Sequence, residues 1–309
     1  MFQGIKNAGN LFQGSIKAVV MHPALMAPLL FVWIIYAPAI MYIQYFFPWK
    51  VLNDFQIVAS VFGFILFFSL SLSLSCFWLL ELVRRVESGE PRNIFAAFPT
   101  AVRNVVRGLH VTLLWALIWL VLSLLAALFS RKNVADDQSF SAENAARTLS
   151  GAGTFSLSGA FFDALKKGVR MIAFLIFPAV AWEQSSKPIK RGLQVARTHS
   201  TEFASGILLT EIASAVVFLP PALLFYVVDE AEITVSDGVW YWVIVYCAFA
   251  WSISIMLEQL FTAELYLWDM KWRKACDTAM LAGDPAPVLK DVPRPSILDD
   301  IKEFEGLVA

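Results

Sequence analysis

Residues 187–228 read KPIKRGLQVARTHSTEFASGILLTEIASAVVFLPPALLFYVV, and the contrast between the two halves of this stretch decides the fold. At about 100° per residue, Ile189, Leu193, Ala196, Ser200 and Phe203 fall in one arc of a helix, while Lys190, Arg191, Gln194, Arg197, Thr198 and Thr201 cover the other side. A helix with an apolar stripe and a cationic back is expected to lie in the headgroup plane of a bilayer, charges toward anionic lipid. The alternative is an ordinary cytoplasmic helix packed on the protein's own helix ends. The second half, Ile207 to Val228, is apolar and long enough to cross a hydrocarbon core of about 30 Å. A surface helix feeding a spanning helix is therefore the unit against which the rest of the chain is read.

The unit recurs twice upstream. In residues 2–22, Ile5, Phe12, Ile16 and Val19 share one face, and Lys6, Asn10, Gln13 and Lys17 the other. In residues 93–108, Ile94, Phe98, Ala101 and Val105 oppose Thr100, Arg103 and Arg107. Apolar runs follow each: Ala24 to Phe46, with Pro38 expected to kink it; Phe55 to Val83; and Leu109 to Phe129. The second run carries Ser69, Ser71, Ser73 and Ser75 as two adjacent i,i+4 pairs. Small polar residues there permit close helix packing, with a polar permeation path as the sharper alternative.

Residues 130–160 are polar and weakly patterned and are expected to form a flexible loop. The fourth apolar run, Met171 to Trp182, must extend back to Phe161 to span. It then takes in Asp163, Lys166, Lys167 and Arg170, whose basic members could snorkel; a re-entrant hairpin is the competing reading. Pro220–Pro221 is expected to break the fifth span. The sixth, Val239 to Trp268, overshoots the bilayer and is expected to run on to a C-cap at Gly283, before a proline-rich strap and a short terminal helix.

The expected architecture is all-α: a polytopic bundle of about six spans with three cytoplasmic-side surface helices and a threefold internal pattern. Its segments are 1–90, 91–186, 187–283 and a cytoplasmic tail, 284–309. Composition agrees. The 309 residues are 58% apolar and only 16% charged, where a soluble domain carries about 25% charge. Residues 1–23 are amphipathic rather than a cationic patch before an apolar core, so insertion is expected to rely on the first span, not a leader. The N-terminus placed inside puts two, five, four and six Lys/Arg in segments 1–23, 84–108, 184–205 and 269–309, against one in 47–54 and none in 229–238. The exception is 130–170, with Arg131, Lys132, Arg147, Lys166, Lys167 and Arg170.

Chemistry-bearing motifs are few. The three histidines are far apart, the three cysteines are scattered, and there is no phosphate-binding loop, dinucleotide fingerprint or nucleophile elbow. No catalytic residue, metal site or cofactor is expected, nor any nucleic-acid partner. The candidates are Glu81, Glu183, Glu211, Glu258 and Glu264, in or beside the spans. They would either pair with basic residues of the surface helices or form a proton- or cation-linked chamber open to the cytoplasm. Lys6, Lys17, Arg103, Arg107, Lys190, Arg191 and Arg197 are candidate contacts to anionic headgroups, and Ile297, Ile301 and Phe304 a candidate docking face for a protein partner.

The basic helices EPRNIFAAFPTAVRNVVRG (90–108) and KPIKRGLQVARTHSTEFASG (187–206), alternating with apolar spans, resemble the membrane domain of glycerophosphodiester phosphodiesterases. They also resemble uncharacterised bacterial multi-spanning families. The resemblance implies a bacterial inner membrane, where the charge bias above is expected to leave both termini cytoplasmic. No activity carries over, because the phosphodiesterases' soluble catalytic domain has no counterpart in these residues. The expected role is a non-enzymatic scaffold or subunit of a larger assembly; the alternative is a transporter or lipid-handling protein using a polar chamber lined by glutamates.

Overall fold

The computed structural model describes residues 2–87, 93–129, 141–150, 157–231 and 233–293. These form ten α-helices and no strand: α1 (Phe2–Met21), α2 (Ala27–Met41), α3 (Asp54–Glu87), α4 (Ile94–Arg107), α5 (Leu109–Phe129), α6 (Ala142–Ser150), α7 (Leu157–Ala181), α8 (Pro188–Thr198), α9 (Ser200–Ala231) and α10 (Asp237–Ala282). Five stretches are long and apolar enough to cross a membrane: 23–46, 54–86, 109–126, 200–231 and 237–282. A sixth long helix, α7, is an uninterrupted run of 25 residues, which removes the hairpin alternative; its charged side chains set it apart.

In the interior, α7 touches both α3 and α10, and the three helices supply large buried side chains: Phe77 from α3, Phe174 and Phe177 from α7, Phe261 and Trp268 from α10. Outside them, α2 lies across α3 and α10, α5 across α3 and α7, and α9 along α10. The serines of α3 join helices as small polar residues can: Ser73 Oγ meets Thr112 Oγ1 of α5 at 3.0 Å, and Ser75 Oγ donates to the Pro28 carbonyl of α2 at 3.0 Å. Two glycines set how closely the outer helices approach. A Cβ on Gly192 of α8 would meet Ile176 Cγ1 at 2.5 Å, and one on Gly206 of α9 would fall 2.0 Å from the Phe261 ring.

The shorter helices α1, α4 and α8 have three faces, not the two read from sequence. On α1, Gly4, Asn7, Ala8, Leu11, Ser15 and Ala18 are buried against α9 and α10, while Ile5, Ile16 and Val20 are exposed. On α4 the buried face is Ala97, Ala101 and Asn104 against α3, with Phe95, Val102 and Val106 exposed. On α8 it is Pro188, Arg191, Gly192 and Val195 against α7, with Leu193 exposed. In each helix the protein face, exposed apolar face and polar face follow in the same rotational order at 3.6 residues per turn. Small and polar residues form the protein face because two helices approach closely there, and such residues are invisible to a search for apolar stripes.

Two expectations about irregularity are corrected. Pro220–Pro221 does not break α9. Pro221 cannot supply the N–H that would bond the Val217 carbonyl four residues back, but the Tyr246 hydroxyl of α10 donates to that oxygen at 2.7 Å. Pro178 of α7 likewise frees the Phe174 carbonyl, and Gln259 Nε2 of α10 donates to it at 3.2 Å. Tyr246→Phe should therefore cost about 1 kcal/mol in the natural chain and close to nothing in a Pro221→Ala background. Thermal melts of the four-member cycle measure this, and equal costs in both backgrounds would refute the assignment.

The second correction is residues 142–150, expected within a flexible loop but forming α6. Ala145 and Ala146 are buried, and Arg147 bonds Glu143 one turn back (2.7 Å) and Asp229 at the end of α9 (2.5 Å). Those two carboxylates hold the Arg147 guanidinium above its ordinary value, the Asp229 bond contributing most. Residues 130–140 and 151–156 lie outside the described residues. The C-cap at Gly283 is as expected, with φ of 77° and its N–H on the Met280 carbonyl. The strap then folds back on α10, where Trp272 Nε1 donates to the Pro287 carbonyl (3.0 Å) and Trp268 Nε1 to Val292 (3.2 Å). Ile297, Ile301 and Phe304 lie outside the described residues.

Candidate functional site

Inside the bundle, α7 turns two cations inward. Arg170 grips Glu258 of α10 with two parallel hydrogen bonds, Nε to Oε2 at 2.8 Å and Nη2 to Oε1 at 2.7 Å. Lys167, one turn earlier, bonds Glu211 of α9 and lies 3.5 Å from Glu258 Oε1. Glu258 is 1% exposed, whereas the Glu211 side chain is 62% exposed and reaches the cluster from its outer edge. Snorkelling, the role expected for Lys167 and Arg170, is thus corrected for both. A buried carboxylate on the facing helix offers a nearer and less hydrated counter-charge than any interface.

Arg170 also floors a cavity of about 270 Å³ lined by α2, α3, α5, α7 and α10. Its walls are mostly rings and branched side chains, among them Tyr36, Phe68, Trp115, Trp119 and Trp251. Tyr36 packs edge-on to Phe68 and 5.5 Å from Trp251, and its hydroxyl donates to the Phe68 carbonyl. A concave, largely apolar site with few polar groups at one point is the usual form of a ligand pocket.

A second ionic cluster holds α8 down. Arg191 is 7% exposed; its Nη2 meets Asp269 Oδ2 of α10 at 2.6 Å, its Nε meets Glu183 Oε2 at 3.0 Å, and its guanidinium lies 5.0 Å from the Tyr266 ring centroid. Arg273 adds Nη2 to Glu183 Oε1 at 2.8 Å. Buried His199, at the α8–α9 junction, places Nε2 3.4 Å from Asp269 Oδ1. Burial alone would lower the Arg191 guanidinium; Tyr266, Asp269 and Glu183 reverse that and hold it above its ordinary value. Arg191 is therefore not placed to contact headgroups, because it falls on the protein face of α8. The other six candidates, Lys6, Lys17, Arg103, Arg107, Lys190 and Arg197, are exposed.

The five glutamates do not form one chamber. Glu211 and Glu258 are joined through Lys167. Glu81 pairs within α3, with Arg84 (2.8 Å) and Arg85 (3.0 Å), and Arg85 reaches on to the Ala96 carbonyl of α4. Glu183 belongs to the α8 cluster. Glu264 lies under α1, its Oε1 3.5 Å from Ser15 Oγ and 2.9 Å from where a Cβ on Gly14 would fall. The expected pairing with a basic residue of a surface helix is seen for Glu183, which meets Arg191 of α8. The aromatic lining, Asp269 and Arg273 were not singled out from sequence. Asp269 and Arg273 carried a signal, an acid and a base one turn apart at the end of a long apolar helix; the lining had none, since five separate helices supply it. Compared with protein-family models, curated proteins and solved structures, the chain matches none.

Proposed function

We propose that the chain is a six-span protein of the bacterial inner membrane, both termini cytoplasmic, that takes a lipid-like molecule from the bilayer into its central cavity and catalyses no reaction on it. The observation that carries this is the ring-lined cavity ending on the Arg170–Glu258 pair. An ion pair well inside a membrane protein marks a functional path more often than it stabilises the fold. The reading makes α7 the sixth span: at about 1.5 Å per residue its length exceeds the hydrocarbon core, and Lys167 and Arg170 are matched by carboxylates. Pairing of those two, and of Arg147 with Asp229, also removes much of the charge that offends the positive-inside bias in 130–170.

The packing supports three repeated units arranged as a ring. Each surface helix rests on the last long helix of the preceding unit, α4 on α3 and α8 on α7, and α1 closes the circle on α10. Their exposed apolar faces then enter the cytoplasmic leaflet, and Lys6, Lys17, Arg103, Arg107, Lys190 and Arg197 meet anionic headgroups. Single cysteines at positions 17, 103 and 197 should react with an impermeant maleimide from the cytoplasmic side only; labelling from outside refutes the topology. For the cavity, protein purified in nanodiscs should retain a lipid-like species by native mass spectrometry, lost in Ile65→Trp, whose ring fills the site. Equal retention in both would sink the reading.

One observation favours a second reading, the scaffold. α10 runs 46 residues, beyond any bilayer's need, and ends in Met280 and Leu281, which are 77% and 91% exposed. A protein subunit seated there would account for them. A Met280→Asp, Leu281→Asp chain with the natural chain's native mass in mild detergent would argue against it.

A further inference from the structure

We propose that the cavity binds a single-chain amphiphile by a carboxylate head, held between the Lys166 ammonium and the free edge of the Arg170 guanidinium. This rests on the lipid-binding reading above and names its ligand. Lys166, Lys167 and Arg170 stand on one side of α7, with Arg170 between the two lysines in angle. There the lysines part. Lys167 turns to the carboxylates of α9 and α10, whereas the Lys166 ammonium lies 5.9 Å from the ring centroid of Trp119 on α5. Trp119 and Arg170 both line the cavity, so the ammonium stands at its rim, one turn before the guanidinium. Arg170 gives Nε and Nη2 to Glu258, and its remaining nitrogen, Nη1, bonds nothing among the described residues. The side chain is 21% exposed, and Nη1 keeps accessible surface, unlike the sealed Nη1 of Arg191.

Charge decides the head group. Arg170 and Lys167 are matched by Glu258 and Glu211, two cations against two carboxylates. Lys166 has no ion pair among the described residues; Asp163, a turn before it, is exposed and bridges to neither lysine. The inner wall and rim therefore carry one cation more than their carboxylates balance. A single carboxylate matches that excess, a neutral head leaves it, and an ammonium adds to it. A carboxylate also has two oxygens, one for each cation, in charge-assisted hydrogen bonds. The chain has its place across the cavity, where α2, α3 and α10 supply Tyr36, Ile40, Ile65, Phe68 and Trp251. Size points to one chain: about 270 Å³ lies just below the common range of ligand pockets, roughly 300–1,000 Å³, too small for a whole two-chain lipid.

The test uses the full chain in phosphatidylcholine nanodiscs, with empty nanodiscs as background, at an alkaline pH where laurate is ionised and lysine still charged. Equilibrium binding is measured for radiolabelled laurate, methyl laurate and dodecyltrimethylammonium, each referred to its own membrane-bound concentration. Laurate should bind about ten- to a hundredfold more tightly than methyl laurate, the range that hydrogen bonds to charged groups supply, and the ammonium most weakly. Lys166→Gln keeps most of the stem beside Trp119 and removes the charge; it should weaken laurate about tenfold and methyl laurate far less. Lys166→Arg should retain the preference, and a loss as full as in the Gln variant overturns the charge assignment. Arg170→Met, Glu258→Leu removes the second donor without altering the excess charge. Combined with Lys166→Gln, it should bring laurate down to the level of its ester. A laurate preference untouched by Lys166→Gln overturns the seat between the two cations. Laurate binding no more tightly than methyl laurate overturns the anionic head and leaves the cavity reading standing. No binding by any probe overturns both.

Discussion

Glu258→Leu should destabilise the bundle by about 3–5 kcal/mol, the cost of leaving a buried cation unpaired. Arg170 would lose both of its hydrogen bonds and Lys167 its second carboxylate, while Glu211 sits at the exposed edge and cannot compensate both. The double variant Arg170→Met, Glu258→Leu should recover most of the loss, because Lys167 keeps Glu211 and two apolar side chains replace two buried charges. Unfolding of purified protein by graded detergent denaturation reads both. A single variant as stable as the natural chain would mean that the pair is hydrated, and the cavity would lose its floor.

Arg191→Met should have an effect of similar size, about 3 kcal/mol or more, but localised. Among the described residues, Asp269 would keep Arg273 and His199 as neighbours of opposite or titratable charge, and Glu183 would keep Arg273. Since Arg191 joins α8 to α10 through Asp269 and to the end of α7 through Glu183, its loss frees α8. Hydrogen exchange should accelerate across 188–198 and much less in α3 or α5. Arg191→Lys should rescue only in part, as one ammonium cannot present the two-sided fork that meets both carboxylates. Uniform exchange rates in the Met variant would show that Gly192 and Val195 packing, not the ion pairs, seats the helix.

These two clusters show where sequence reading stops. The helices themselves were legible, since an apolar run in a chain this poor in charge has few other folds open to it. So were the cap at Gly283 and the place of the amphipathic segments. Glu211, Glu258 and Glu183 were singled out because a carboxylate in an apolar run is rare; pairing with a surface-helix cation holds for Glu183, which meets Arg191, whereas Glu211 and Glu258 meet Lys167 and Arg170 of α7. Lys167 and Arg170 looked like snorkelling residues because they flank the apolar core of α7. In sequence nothing distinguishes a lysine that reaches the interface from one that turns toward a glutamate 91 positions later. α6 was missed because its alanines and its Glu143–Arg147 pair are weak signals alone; the ends of α9 and α10 complete it.

Length and hydrophobicity are local properties, so an all-helical chain with apolar helices long enough to cross a membrane is legible from the residues alone. Which face of each amphipathic helix meets protein, how α9 passes two prolines unbroken, and which glutamate meets which cation emerge from the packing of the helices. Those outcomes depend on groups from helices distant in the chain, Tyr246 for Val217 and Glu258 for Arg170. A hydrogen bond or ion pair between helices is fixed by where their axes cross, which no single segment encodes.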